Sequence, residues 1–399
     1  MDPLSLYLHI PFCTVKCPYC DFNTYSRMES LIPEYLDALK NEIHVWGSEI
    51  GDSYETNTIY FGGGTPSLLT PVQVRSVLET CKQWFRVAED VEISLEANPE
   101  NVTPEYMSSL LQAGVNRLSM GVQSFDDDEL KWLGRTHDSE AIVVAYYAAR
   151  QAGFGNISLD LIYGLTDQSM ATWEDTLGQA IGLKPEHVSL YALTIEQDTP
   201  FGKKAARGLL QHPNPDVAAD MYLLAADMLS DNGYNHYEIS NWELGGHACR
   251  HNTTYWEDRC YVGFGPGAHS YFGAFRFSDI RSPKRYIESM DRLAKRHSST
   301  EDERQAFTEE AIHGLSPVDM IEHIDKTTEM METIVLGLRL VRGASKKIFR
   351  ARFGMNIDDV YPGIIAELKE LGLLEEADEY IRLTPRGWLL SNEAFVRFL

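Results

Sequence analysis

The chain has 399 residues, 44% of them apolar and 24% charged, enough to bury a large core in two or three structural units and too apolar for disorder. Its formal net charge of −24 excludes a general role in binding nucleic acid or anionic lipid, both of which depend on clustered Lys and Arg. No apolar run reaches the roughly 18 residues of a membrane span. The opening MDPLSLYLHI has neither a basic n-region nor an extended apolar h-region, and the six cysteines form no evident disulfide framework, which fits a reducing cytoplasm.

The first β-rich run, Leu4 to His9, leads into HIPFCTVKCPYCDF, where Cys13, Cys17 and Cys20 are spaced C-x3-C-x2-C. Three thiolates suit one cubic iron–sulfur cluster and leave one iron open to a small molecule. Close thiols flanked by Pro11, Pro18 and aromatics suit core packing poorly. Further strand signals follow at Thr58 to Phe61, Val91 to Ala97, Arg117 to Val122, Ile157 to Tyr163 and Val188 to Leu193. Amphipathic helices separate them. After Pro33, residues Leu36, Leu39, Ile43, Trp46 and Ile50 share one face, and Pro71 opens a helix that turns Val74, Val77, Leu78, Cys81 and Phe85 inward. Six strand–helix repeats predict an α/β fold, an incomplete (β/α)6 barrel of parallel strands wrapped by helices.

In such barrels chemistry gathers at the C-terminal strand ends. The first strand ends in the cysteine loop, the second in Gly62-Gly63-Gly64-Thr65-Pro66, the third at Glu96 and the fourth at Gln123; Asp160 lies within the fifth and Tyr191-Ala192 within the sixth. Glycines let a backbone approach a ligand closely. The G-G-G-T-P run fails both the dinucleotide and the P-loop templates.

Beyond the barrel, Val217 to Leu229 reads as helix and His236 to Asn241 as a strand leading into a loop, Cys249-Arg250-His251-Asn252-Thr253-Thr254-Tyr255-Trp256. The polar stretch from about 280 to 310, with Pro283 and Ser298-Ser299, reads as a surface helix followed by a linker. Met330 to Leu340 and Ile364 to Leu371 read as helices, and Tyr380 to Leu383 as a strand before the turn at Thr384-Pro385. Helices followed by a hairpin predict a compact winged-helix-like domain. Its mixed charges suit a lid or a partner surface rather than DNA. Boundaries are expected at 1–235 for the barrel, 236–310 for an extension and 311–399 for the C-terminal domain.

The cysteine motif, YLHIPFC, FGGGTP and the strand-end residues together resemble the radical S-adenosylmethionine superfamily, and within it the group of oxygen-independent coproporphyrinogen III oxidases and HemW-like heme chaperones. The resemblance implies a 4Fe-4S cluster on Cys13, Cys17 and Cys20. It implies S-adenosylmethionine beside Tyr7 and Tyr19, with contacts from Gly63, Gly64, Thr65, Glu96, Gln123, Arg135, Asp160 and Ala192. The segment GFGPGAHS at 263–270 is similar to the family's stretch near the adenine, where His269 replaces a usually apolar residue. Two features resemble the chaperones more than the oxidases: Phe22 stands where oxidases carry a fourth cysteine, and the first cysteine comes as early as position 13.

The 249–256 segment is similar to the H-N-x-x-Y-W signature of the chaperones. That implies heme as a further cofactor, with His251 as axial ligand, His247 or Cys249 as alternatives, and Arg250 pairing a propionate. Acceptor hemoproteins such as respiratory-chain proteins and an electron donor are the implied partners, met in the cytoplasm or, through such a partner, transiently at the membrane. The alternative reading is an enzyme acting on a porphyrin, by oxidative decarboxylation or methyl transfer.

Overall fold

The computed structural model describes residues 1–297 and 307–399. The linker expected around Ser298-Ser299 lies outside the described residues. One twelve-stranded sheet organises the larger part of the chain. Its strands are β1 (Asp2–Ile10), β2 (Tyr54–Gly63), β3 (Arg86–Ala97), β4 (Arg117–Gln123), β5 (Ile157–Tyr163), β6 (His187–Ala192), β7 (Asn235–Glu238), β8 (Asn241–Glu243), β9 (Tyr261–Phe264), β10 (His269–Phe272), β11 (Phe275–Asp279) and β12 (Val318–His323).

The six expected strands pair in parallel, in sequence order from β1 to β6. A further parallel strand, β9, joins the free side of β1. The sequence hides it: it is four residues long, and Gly263 within it reads as part of a glycine-rich turn. That glycine is required because a Cβ there would lie 2.2 Å from the His269 carbonyl oxygen in the adjoining segment. Antiparallel strands β10, β11 and β12 extend this edge, while β8 and β7 extend the other. No ladder joins β12 to β7 among the described residues, so the barrel is open.

The crossover helices start where capping chemistry permits. Thr70 caps α2 (Pro71–Trp84) in a reciprocal capping box with Gln73, Thr103 caps α3 (Pro104–Ala113), Asp138 caps α4 (Ser139–Ala152), and Ser169 caps α5 (Met170–Gly182). Each such cap satisfies amides the helix leaves open and contributes about 1 kcal/mol. The apolar stripe expected on α1 (Ile32–Ile50) is buried as expected. Glu42 is buried in the same helix. Its carboxylate accepts from the Gly265 amide at 3.0 Å, Tyr286 Oη at 2.6 Å and Ser316 Oγ at 2.6 Å, which ties α1 to the segment behind β9.

Two other expectations change. The strand read across 236–241 is a tight hairpin of β7 and β8, and the 249–256 loop is a helix, α6 (Arg250–Trp256). The helix forms because Glu92 accepts from the backbone amides of Arg250 and His251, both at 3.1 Å, placing a carboxylate on amides that the first turn cannot satisfy itself.

A second hydrophobic core, which includes Met330, Ile334, Phe349, Leu368 and Ile381, belongs to the C-terminal domain. Helices Lys326–Gly337, Lys346–Phe353 and Pro362–Glu370 pack with a three-stranded sheet containing the hairpin of Leu374–Ala377 and Tyr380–Leu383. This is the winged-helix-like arrangement. The second core begins near Met330 because β12 completes the edge of the large sheet. Arg352 to Asp258 at 2.9 Å and Arg276 to Glu332 at 2.6 Å fasten the two parts together.

Candidate cofactor site

The C-terminal ends of β1 to β6 surround a cavity of about 460 Å³ that descends into the barrel. Cys13, Cys17 and Cys20 line its mouth, together with Tyr19. Tyr19 is seated against a small apolar cluster that includes Leu133, Ile162 and Leu193. No trio of His, Cys, Asp or Glu among the described residues converges on a single metal ion. A cubane presents a different iron to each thiol, so three separated sulfurs around one cavity are the arrangement it needs.

Polar groups connect two of the thiols. Thr65 Oγ1 donates to Cys13 Sγ at 3.5 Å, and Asn98 Nδ2 donates to Thr65 Oγ1 at 3.5 Å. Arg135 Nη2 donates to Asn98 Oδ1 at 2.6 Å and to Gly121 O at 3.0 Å, while Nη1 reaches Cys17 Sγ at 3.6 Å. Donors aimed at sulfur favour the thiolate that binds metal. The donor set therefore fits an iron–sulfur cluster. Asn98 was missed in the sequence; its position two residues beyond Glu96, at the same strand end, is the signal that could have found it.

The glycine loop has a different task from the one its composition suggests. Gly63 has φ +112°, and its amide donates to Glu96 Oε2 at 3.1 Å. The Gly64 amide donates to Ile10 O and the Thr65 amide to Phe12 O, each at 2.8 Å. A Cβ on Gly64 would sit 2.6 Å from Phe12 O. These glycines thus let the loop lie directly on the backbone that carries the cysteines, while both still line the cavity.

Deeper in the cavity stand Glu96, Gln123, Asp160 and Ala192. Glu96 also accepts from Tyr60 Oη at 2.9 Å. Burial, with Asp160 nearby, pushes its carboxyl up to about 7. Asp160 accepts from Ser119 Oγ at 2.9 Å and Ser158 Oγ at 3.0 Å, and burial raises it as well. Gln123 has φ +73°, a sparsely populated conformation for a residue with a side chain, of the kind that clusters at binding sites. Arg117, 2% exposed, lines the cavity beside these acids, and its Nε has no hydrogen-bond partner among the described residues. It opposes the proton uptake of Glu96 and Asp160. The sequence offered Arg117 only as the start of a strand.

Tyr7 and His269 do not line this cavity. Tyr7 lies behind it, its hydroxyl 3.1 Å from His9 Nδ1 and its ring 6.2 Å from that of Tyr60. His269 is exposed at the start of β10, which lies between β9 and β11 in the sheet.

The residues of α6 form the floor of the barrel. Thr254 bonds Ser5 near the start of β1 at 2.8 Å, and His251 Nδ1 bonds Thr58 in β2 at 2.7 Å. His251 Nε2 meets Tyr255 Oη at 2.8 Å, and the ring stacks on Tyr60 at 4.9 Å. Burial, helped by Arg117, lowers its pKa to about 3, so the ring is neutral and both nitrogens are engaged. Arg250 pairs with Asp90 at 3.2 Å, and Trp256 lies under Arg339 at 4.2 Å. Cys249 is wholly buried, with Sγ 3.7 Å from Glu92 Oε1. His247 Nδ1 donates to Leu244 O at 2.8 Å. Among the three candidate heme ligands, only His247 keeps a donor atom without a partner among the described residues. Asn252 lines the cavity from this side.

An open parallel barrel with three cysteines at its mouth is the arrangement of radical S-adenosylmethionine proteins, and the Radical SAM superfamily model matches residues 7–180. The HemN C-terminal domain model matches residues 324–390. The chain is 36% identical to heme chaperone HemW of Bacillus subtilis over 99% of both chains. It is 33% identical to heme chaperone HemW of Escherichia coli over 100% of this chain and 99% of that one. The chain belongs to the HemW family of radical S-adenosylmethionine proteins. The structure of coproporphyrinogen III oxidase (HemN) from Escherichia coli superposes with a TM-score of 0.82 at 23% identity, covering 100% of this chain and 90% of that one, a likeness of fold. No helix among the described residues is long and apolar enough to cross a membrane.

Proposed function

We propose that this protein is a heme chaperone that binds heme and passes it to acceptor hemoproteins such as respiratory-chain proteins, and that its three-thiol cavity holds a 4Fe-4S cluster and S-adenosylmethionine. The observation that carries the reading is full-length similarity to HemW chains. The complete cofactor cavity is consistent with it. When bound, a reduced cluster of this kind supplies the electron that cleaves the sulfonium of S-adenosylmethionine; an external electron donor is part of the proposal.

The chain's own residues divide the work by chemistry. Cys13, Cys17 and Cys20 would hold the cluster, with Thr65 and Arg135 donating to two of the sulfurs. Glu96 and Asp160 would accept from amino or ribose hydroxyl groups of S-adenosylmethionine, and Arg135 would meet its carboxylate. Gly63, Gly64, Gln123 and Ala192 shape the wall against which it rests. Tyr7 would support this site from behind the cavity, through the Tyr60 ring that lines it; His269 would meet the cofactor only from outside the cavity.

Phe22, where oxidases carry a fourth cysteine, favours the chaperone over decarboxylation. Ligation of heme iron by His251 would require Thr58 or Tyr255 to release its ring, and an unpaired buried hydroxyl costs about 1–3 kcal/mol. The test is anaerobic reconstitution of the cluster followed by separate incubation with heme and with coproporphyrinogen III plus reductant and S-adenosylmethionine. Stoichiometric heme binding and transfer to an apo-hemoprotein are expected. Catalytic formation of protoporphyrinogen IX would overturn the chaperone reading.

A further inference from the structure

Helix α7 (Pro283–His297) carries an unusual charge for a chain of net −24. Its inner face packs into the core through Tyr286 and Met290, both wholly buried. Lys284, Arg285 and Arg292 are exposed on it, and Arg281 is exposed just before it. Only Glu288 and Asp291 offset them between 281 and 292, and the sequence continues with Lys295 and Arg296. Elsewhere Arg250, Arg276 and Arg352 are each paired with a carboxylate. Arg281, Lys284, Arg285 and Arg292 have no ion-pair partner among the described residues; Arg292 bonds only Glu288 O and Ser289 Oγ of its own helix.

This basic face adjoins the cysteine loop. Arg281 and Arg285 line a groove of about 660 Å³ together with Lys16, Cys20, Asp21 and Thr24, and Lys16 and Cys20 line the cofactor cavity as well. A residue offered as a cluster ligand is thus reached from the groove as well as from the cavity. Hydrogen bonds fix the loop to the start of the helix: Asn23 Nδ2 and Tyr25 Oη each donate to Arg281 O at 3.0 Å, and Asn23 Nδ2 donates to Pro266 O at 2.8 Å.

We propose that the face formed by Arg281, Lys284, Arg285 and Arg292 docks an acidic one-electron carrier protein, which delivers its electron past the cysteine loop. The proposal rests on the reading of the three-thiol cavity as a cluster site. In that step one electron leaves the carrier's reduced centre and enters the cluster, and no bond forms or breaks. Two acidic proteins repel over most of their surfaces, so an unpaired basic face on one of them selects the point of contact and steers the encounter. Redox encounters of this kind need only a small interface. Anionic lipid fits the face less well. The apolar residues of α7, including Ile287 and Leu293, are spent on the core and leave nothing to insert between acyl chains, and Asp21, Asp198 and Asp319 line the groove.

The test uses the reconstituted full chain, a plant-type 2Fe-2S ferredoxin as the acidic carrier, and reduced methyl viologen as a small reductant that needs no docking face. The variant Arg281→Glu/Lys284→Glu/Arg285→Glu, altered only at exposed positions, is expected to keep its iron content and circular dichroism. By calorimetry at low ionic strength it is expected to bind ferredoxin about tenfold more weakly than the unaltered chain, and in stopped flow to be reduced by it correspondingly more slowly, both differences shrinking as salt is added. Methyl viologen should reduce the two proteins alike. Equal ferredoxin affinity in both proteins would overturn the proposal, as would failure of the unaltered chain to bind ferredoxin or slower reduction of the variant by both reductants. Vesicles of phosphatidylglycerol that capture the unaltered chain but not the variant, with ferredoxin bound by neither, would assign the face to a membrane instead. Failure of methyl viologen to reduce the unaltered chain defeats the cluster assignment itself.

Discussion

Arg135 and Asn98 meet at 2.6 Å, and that contact completes a hydrogen-bonded path from Cys13 through Thr65, Asn98 and Arg135 to Cys17. Two cysteines that share one loop are thus also held by Thr65 and Asn98 from two strand ends and by Arg135 from the turn after the short helix Asp127–Trp132. Replacing Asn98 with Leu removes the middle of the path and leaves the mostly buried Arg135 short of an acceptor. A loss of about 1–3 kcal/mol in unfolding free energy is expected, with faster iron loss from the reconstituted protein. Urea unfolding and iron release to a chelator would measure both.

Cys17→Ser removes a proposed cluster ligand that also accepts from Arg135. Reconstituted protein is expected to lose most of its bound iron and the accompanying visible absorption, while far-ultraviolet circular dichroism stays that of the unaltered chain. Full iron content in this variant would contradict the ligand assignment.

Gly64→Ala tests the packing of the glycine loop. The added methyl would lie 2.6 Å from Phe12 O and 2.9 Å from Ile10 O, so the cysteine loop must shift. A destabilisation of about 1–3 kcal/mol is expected, together with poor iron incorporation. Gly155, where an added Cβ meets nothing within 4 Å, supplies the control: Gly155→Ala should stay within about 0.5 kcal/mol of the unaltered chain.

Glu96 gives a pH signature. Its carboxyl is raised from the ordinary value of 4.5 to about 7 by burial and by Asp160, so it is largely protonated at pH 6 and ionised at pH 8. A cationic ligand favours the ionised form, and its binding releases the proton. S-adenosylmethionine affinity is therefore expected to rise as pH increases through about 7 and to lose most of that dependence in Glu96→Gln. Calorimetric titrations at several pH values check the sign; an affinity that falls over this range would contradict the role.

His251→Ala removes two side-chain hydrogen bonds, one of them fully buried, and a stacked ring from the barrel floor. A loss of about 2–4 kcal/mol is expected, read as a lower urea midpoint. Heme affinity, measured where the variant is folded, should stay within a few-fold of the unaltered chain. A selective loss of heme binding without loss of stability would restore His251 as the iron ligand.

Much of the barrel was legible because strands and helices write their faces into local sequence. The alternation from Leu4 to Leu193 gave six parallel strands, and helix starts such as Thr70-Pro71 and Thr103-Pro104 announce themselves through capping chemistry. The four-residue strand Tyr261–Phe264 did not, because its burial comes from pairing with Ser5 to Leu8 far back in the chain. Asn98 and Arg117 escaped notice for a related reason. Their importance comes from neighbours on other strands rather than from any motif.

By itself, the sequence determined that three thiols lie on one short loop and that polar residues recur at successive strand ends, since both depend only on spacing along the chain. Tertiary structure decided what those residues do. It spent the amides of Gly63 and Gly64 on internal bonds and turned the 249–256 segment into a helix capped by Glu92. It also engaged both nitrogens of His251 and brought Asn23 and Tyr25 onto the Arg281 carbonyl. These outcomes follow from contacts between residues more than 250 positions apart, such as Asn23 with Arg281, and hydrogen-bond satisfaction across such separations has no signature in local spacing.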